Sequence, residues 1–281
     1  MPTLWQVEDV SAVLVVSIQA AVLGAYACGV VVLRRRGQSW SSWRTGAFVA
    51  GLLMLHIALV SRLVAYDDDV FVVHIVQHVL LMMVGPPLLA LGAPVTLALR
   101  TLPRPVRRRL ARGLRGRAVR VFSSLTASSI AFYGLMYVYF LTPVYSYSMT
   151  HELAHELGHV AMFSAGCVYW WPMVGIDRVP GRSGIRARVI AMAAAVPIEG
   201  LLAALIAARA LAFGDWYTAT DVRDGAVVLG VAALTIDAVS VAVMLLQTRR
   251  RRPMTYDQTR RTRSAERRSP VRPRRPFAAR T

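Results

Sequence analysis

The apolar positions of this chain fall in long unbroken runs, not in the alternation of a strand or the stripe of a soluble amphipathic helix. A helix that crosses a bilayer needs roughly 20 predominantly apolar residues. Seven runs approach or reach that length. The first covers about Val10 to Leu33 and stops at Arg34-Arg35-Arg36. The second runs from about Gly46 to Ala65 and ends in Asp67-Asp68-Asp69. The third reaches from Val70 to Leu99 and holds Pro86-Pro87 and Pro94 inside it. Proline lacks a backbone donor and clashes with the preceding turn, so this span is expected to kink or break near Gly85.

The fourth run, about Val121 to Leu141, leads into Tyr137, Tyr139, Phe140, Tyr145 and Tyr147, a cluster of the kind found at a membrane interface. The fifth runs from His151 to about Val174, the sixth from Val189 to Phe213, and the seventh from Ala226 to Gln247. A basic loop, Arg100 to Arg120, separates the third from the fourth, and an arginine-rich stretch follows Arg249. The expected fold is all-α, a polytopic membrane helix bundle of about seven spans over residues 1–248. Residues 249–281 are expected to form a disordered cytoplasmic tail.

Composition agrees, since 56% of the 281 residues are hydrophobic. No cleavable signal peptide is expected, because the first run is too long for one and arginines follow it. The formal charge of +18 could indicate nucleic acid, but its placement argues for topology instead. All 33 basic residues are arginine. With the N-terminus outside and the C-terminus in the cytoplasm, only Arg62, Arg209 and Arg223 fall on the outer side. The remaining arginines suit anionic membrane lipid, and no folded basic module for nucleic acid accompanies them. Cys28 and Cys167 stand alone and form no thiolate framework.

All six histidines lie in the second, third and fifth runs: His56, His74, His78, His151, His155 and His159. Ionisable groups at membrane depth are costly and mark function by default. His74, His78 and Met82 recur at helical spacing, as do His151, His155, His159 and Met162, so each set occupies one helix face. The two pairs His74/His78 and His155/His159 are expected at matching depth in the outer half of the membrane. Imidazole with thioether suits copper, and imidazole alone also suits zinc or haem iron. His151 sits at the interface, and His56 has no partner at helical spacing.

Two overlapping H-E-x-x-H patterns, His151 to His155 and His155 to His159, raise an intramembrane zinc metalloprotease as the alternative. It would need a third ligand. Glu199 and Asp237 are the only acids after the motif that are expected to be buried. Haem held between the third and fifth runs is a further alternative.

From His74-Ile75-Val76-Gln77-His78 through Pro86-Pro87-Leu88-Leu89 to Leu91-Gly92-Ala93-Pro94, the third run resembles the bacterial CtaG family of cytochrome c oxidase assembly factors. His155-x-x-x-His159, Gly166 and Trp170-Trp171-Pro172-Met173-Val174-Gly175-Ile176-Asp177 are similar to a second signature of that family. Departures are Ile75 for methionine, Gly85 for alanine, an additional His151, Glu199 near where a histidine is expected, and Asp221-Val222-Arg223 for Asp-Gln-Gln. The resemblance implies a non-enzymatic factor in the plasma membrane that helps deliver copper to an oxidase subunit. The expected metal ligands are His74, His78, His155 and His159, with His151 and Met82 beside them.

Overall fold

The computed structural model describes residues 10–61, 63, 66, 69–177 and 183–251. Among these residues every regular element is helical. Helices α1 (Val10–Arg35) and α2 (Ser42–Val60) precede the broken third segment. That segment consists of α3 (Phe71–Val79), a π-helical turn (Leu80–Val84), α4 (Gly85–Leu91) and α5 (Pro94–Thr101). Two short helices follow, α6 (Arg104–Leu114) and α7 (Arg117–Phe122). Then come α8 (Leu125–Leu141), α9 (Val144–Thr150), α10 (Glu152–Val174), α11 (Ile185–Ala208) and α12 (Ala219–Arg251).

Among the described residues, five helical segments are long and apolar enough to cross a membrane, or six if α8 and α9, bent by 69° at Thr142-Pro143, count as one. The fifth expected span, α10, has 23 residues but is not among them. Its histidines, glutamates and aromatic polar tips dilute the apolar run.

The expected basic loop is a correction. Arg104–Leu114 and Arg117–Phe122 are helical, with no buried residue in either. Arg62, expected on the outer side, lies outside the described residues, as do Asp67, Asp68 and residues 178–182. So does the tail, apart from Arg249 to Arg251, which continue α12.

The break in the third segment falls where the prolines demand it. Pro86 and Pro87 open α4, where a missing N–H costs least. The turn before them widens, and the Gly85 N–H reaches back five residues to the Leu80 carbonyl. Such π-turns occur often at functional sites. A second break lies at Ala93, whose φ of 52° is left-handed, just before Pro94 starts α5. α2 supports the broken region closely: a Cβ on Gly51 would stand 2.9 Å from the Leu89 backbone nitrogen.

Two aspartates cap the ends of the broken segment from elsewhere in the chain. Asp221, at the start of α12, accepts from the Phe71 and Val72 N–H groups at 2.6 and 3.3 Å. Asp177 accepts from Val95 and Thr96 at 3.2 and 2.7 Å and from Trp171 Nε1 at 3.1 Å. Carboxylates satisfy the orphan donors of a helix N-terminus and complement its dipole. Asp177 thereby ties the end of the tryptophan-rich stretch to the start of α5.

Arg188 is a correction to the charge reading, because it is no solvated loop cation. It is 8% exposed and donates to the Met173 and Val174 carbonyls at 2.8 and 3.1 Å, closing the C-terminus of α10. Gly175 makes room there, with φ of 60° and a Cβ position 2.7 Å from Arg188 Nη1.

Replacing Asp221 by alanine is expected to cost about 1–3 kcal/mol, since two buried-end donors lose a charged acceptor. Denaturant unfolding in detergent measures it. Asp221→Asn, which keeps one acceptor oxygen, should recover part of the loss.

Candidate functional site

The N-terminal turns of α3 and α10 bring their histidine rings together, while the body of α10 packs on the π-turn and α4. His74 is three residues into α3, and His155 is three residues into α10. Parallel helices with the same four-residue spacing put the imidazoles on two rungs. His74 faces His155 with ring centroids 5.8 Å apart, and His78 faces His159 at 5.5 Å. Along each helix the rings stand 4.4 Å apart for His74 and His78 and 4.6 Å for His155 and His159. His74, His78 and His159 are 0%, 3% and 7% exposed, and His155 is half-buried.

The polar accounting of this cluster is incomplete. His74 Nε2 and His78 Nε2 share a hydrogen bond of 2.8 Å, so one ring must be the Nε2–H tautomer and the other the acceptor. Each then presents its Nδ1 to the interior, and neither Nδ1 has a hydrogen-bond partner. His159 Nε2 is likewise buried without one. An unmet buried polar atom costs about 1–3 kcal/mol, so a cluster retained in this state is suited to a ligand that supplies the missing interactions.

Aromatic rings wall the cluster. Tyr145 lies 5.4 Å from His74, and Tyr139 and Phe140 lie 5.4 and 5.7 Å from His78. Phe71, Phe213 and Tyr217 close the outer layer, with Phe71 5.3 and 5.2 Å from the other two. The expected interfacial belt is therefore half wrong. Tyr139, Phe140 and Tyr145 are core, at 2%, 3% and 2% exposure, because the bend after α8 folds α9 back over the histidines. Tyr147 alone of the cluster is largely exposed.

The structure separates the remaining candidates from this cluster. His151 is exposed, its ring is stacked on Tyr147 at 4.1 Å, and its Nδ1 meets the Tyr147 carbonyl and the Thr150 hydroxyl. His56 bonds Gln19 Oε1 at 3.0 Å between α2 and α1. Glu152 is exposed and Glu156 half-buried. Of the acids a protease would need, Glu199 accepts from Tyr133 at 3.2 Å, and Asp237 lies within reach of Glu199. Met82 is 1% exposed within the π-turn, and what fixes its place is its backbone. A Cβ on Gly166 would stand 2.8 Å from the Met82 carbonyl oxygen and 3.0 Å from its Cα. Pro86 deprives that carbonyl of its usual helical donor, and the bare face of Gly166 lets α10 settle against it.

Sequence reasoning missed the caps and the aromatic wall. Asp221 was noted only as a departure, yet it fixes the end of α3 that carries His74. Among the described residues, no group of three or more histidine, cysteine, aspartate or glutamate side chains is already arranged to hold a metal ion. The imidazoles are gathered but not converged on one point.

A helical bundle of membrane-spanning type, with paired imidazoles buried beside a π-turn, defines a polytopic membrane protein organised around a polar site. The family model of the cytochrome c oxidase caa3 assembly factors (Caa3_CtaG) matches residues 24–251. The chain belongs to that family.

Similar curated proteins include an uncharacterized protein of Mycobacterium bovis and one of Mycobacterium tuberculosis, each 33% identical over 181 residues. Those matches cover 62% of this chain and 27% of either relative. An uncharacterized protein of Mycobacterium leprae is 31% identical over 205 residues, covering 70% of this chain and 30% of the relative. The chain thus spans less than a third of the length of these relatives. No solved structure matches the chain.

Proposed function

We propose that this chain handles copper as cargo during maturation of cytochrome c oxidase, as a non-enzymatic factor of the plasma membrane whose client is an oxidase subunit. Membership of the assembly-factor family supports the oxidase as the client system. The observation that carries the metal is the pair of imidazole rungs with unmatched nitrogens on His74, His78 and His159. Neutral imidazole is a good ligand for copper, and a set of two to four such rings without thiolates suits an ion that must be released again.

The His74–His78 hydrogen bond has to open before both Nε2 atoms can bind an ion. That requirement makes loading conditional, as a transfer site needs. The rung geometry lets His78 and His159 accept an ion first, with His74 and His155 one turn away as the exit pair. Copper carried there lies behind Tyr139, Phe140 and Tyr145, which cover the buried His74 and His78 side of the cluster.

The test is complementation of a deletion strain under copper limitation. The wild-type chain should restore oxidase activity, and His78→Ala or His159→Ala should not. Excess copper should rescue the variants at least in part. Normal oxidase activity in the deletion strain itself would overturn the reading.

A further inference from the structure

A second polar cluster lies in the bundle away from the histidines, and it has no part in the metal site. Glu199 is on α11 and Asp237 on α12, both inside segments apolar enough to span a membrane. Each is 4% exposed. Their carboxyls come within hydrogen-bonding reach of one another. Yet Glu199 Oε2 and both oxygens of Asp237 meet no donor group of the protein.

From the other side, Tyr133 of α8 reaches Glu199 Oε1 at 3.2 Å and the Tyr169 hydroxyl of α10 at 3.0 Å. A phenol has one hydrogen. If Tyr133 gives it to the carboxylate, Tyr169 must give its own to Tyr133. The result is a directed chain, Tyr169 to Tyr133 to Glu199, ending at Asp237. The titratable groups that face the pair are these two tyrosines, from α8 and α10, and the two acids themselves.

Two buried carboxylates within reach of one another, with no donor between them, repel each other. A membrane interior offers no water to screen them, so both cannot be ionised at once. Something positive has to lie between them. A metal ion needs more ligands than two acids supply, and no third histidine, cysteine or acid joins the pair among the described residues. A proton needs none.

We propose that Glu199 and Asp237 are a proton-binding site, a carboxyl pair that shares one exchangeable proton and is held in place by the Tyr169–Tyr133 relay. One proton gives the pair a single negative charge, and the Tyr133 hydroxyl stabilises it on the Glu199 side. The pair ties α11 and α12 to α8 and α10, so its proton governs how these four helices are held together. This holds whatever the histidines bind.

Infrared spectroscopy of the purified full chain in lipid nanodiscs, taken from acidic to alkaline pH, tests it. The expected result is a protonated-carboxyl stretch that persists at neutral pH and shifts in heavy water. It should be lost in the Glu199→Gln/Asp237→Asn double variant and shifted in frequency by Tyr133→Phe, which removes no carboxyl. Absence of the band in the wild-type chain at neutral pH would overturn the proposal, as would a band unchanged in the double variant. A band that appears only after a chelator strips the sample would also overturn it, by assigning the site to a metal ion.

Discussion

Gly166→Ala is expected to destabilise the protein by about 1–3 kcal/mol and to uncouple the two histidine pairs, although the substitution adds one methyl group far from any imidazole. The added carbon would stand 2.8 Å from both the Met82 carbonyl oxygen and Pro86 Cγ, and 3.0 Å from Met82 Cα. Two of those three atoms are backbone, and the third belongs to a rigid ring. None can swing aside as a flexible side chain would, so α10 itself has to move off the π-turn. His155 and His159 ride on α10 and their partners on α3, so the 5.5 and 5.8 Å separations open with it.

Gly134→Ala is the control. A Cβ there meets nothing within 4 Å, and replacing a mid-helix glycine should gain about 0.5–1 kcal/mol. Thermal unfolding of both variants, with copper content measured alongside, separates a packing effect at one glycine from a general loss of helix.

The second large effect is a divergence between stability and metal binding. His74→Leu/His78→Leu removes both members of the 2.8 Å hydrogen bond together with their two unmatched Nδ1 atoms. Replacing both partners by apolar groups of similar size is near neutral or stabilising, because no polar atom is left behind. The metal-free double variant should therefore be at least as stable as the wild-type chain, yet carry no copper and fail to support oxidase maturation. A strongly destabilised double variant would mean that these histidines are structural. That stability is given up at this site for another purpose follows the usual relation between function and an imperfect core.

Much of this arrangement was readable from residue order alone. Pro86-Pro87 placed the break within a few residues, and the four-residue spacing of the histidines placed each pair on one face. The pairing across helices followed from both pairs lying near the start of their segments. Other features were not readable, for physical reasons. Whether a tyrosine after α8 meets lipid or core depends on the bend at Thr142-Pro143, and no local pattern distinguishes Tyr145, which turns inward, from Tyr147, which does not. His151 continues the histidine stripe in sequence, but the helix starts one residue later, so its side chain leaves the face it was assigned to. The backbone donors that Asp177 and Asp221 satisfy are 81 to 150 residues away, beyond any local motif. Arg188 reads as a topogenic charge until its carbonyl partners on α10 are seen.

The most direct measurement is the copper content of the full chain purified in detergent and loaded under reducing conditions, set beside His78→Ala and His159→Ala. The wild-type chain should retain copper through desalting, and each variant should lose it while staying folded. Copper retained equally by all three, zinc retained by the chain with His78 replaced, or a Soret band in the wild-type sample would contradict the account.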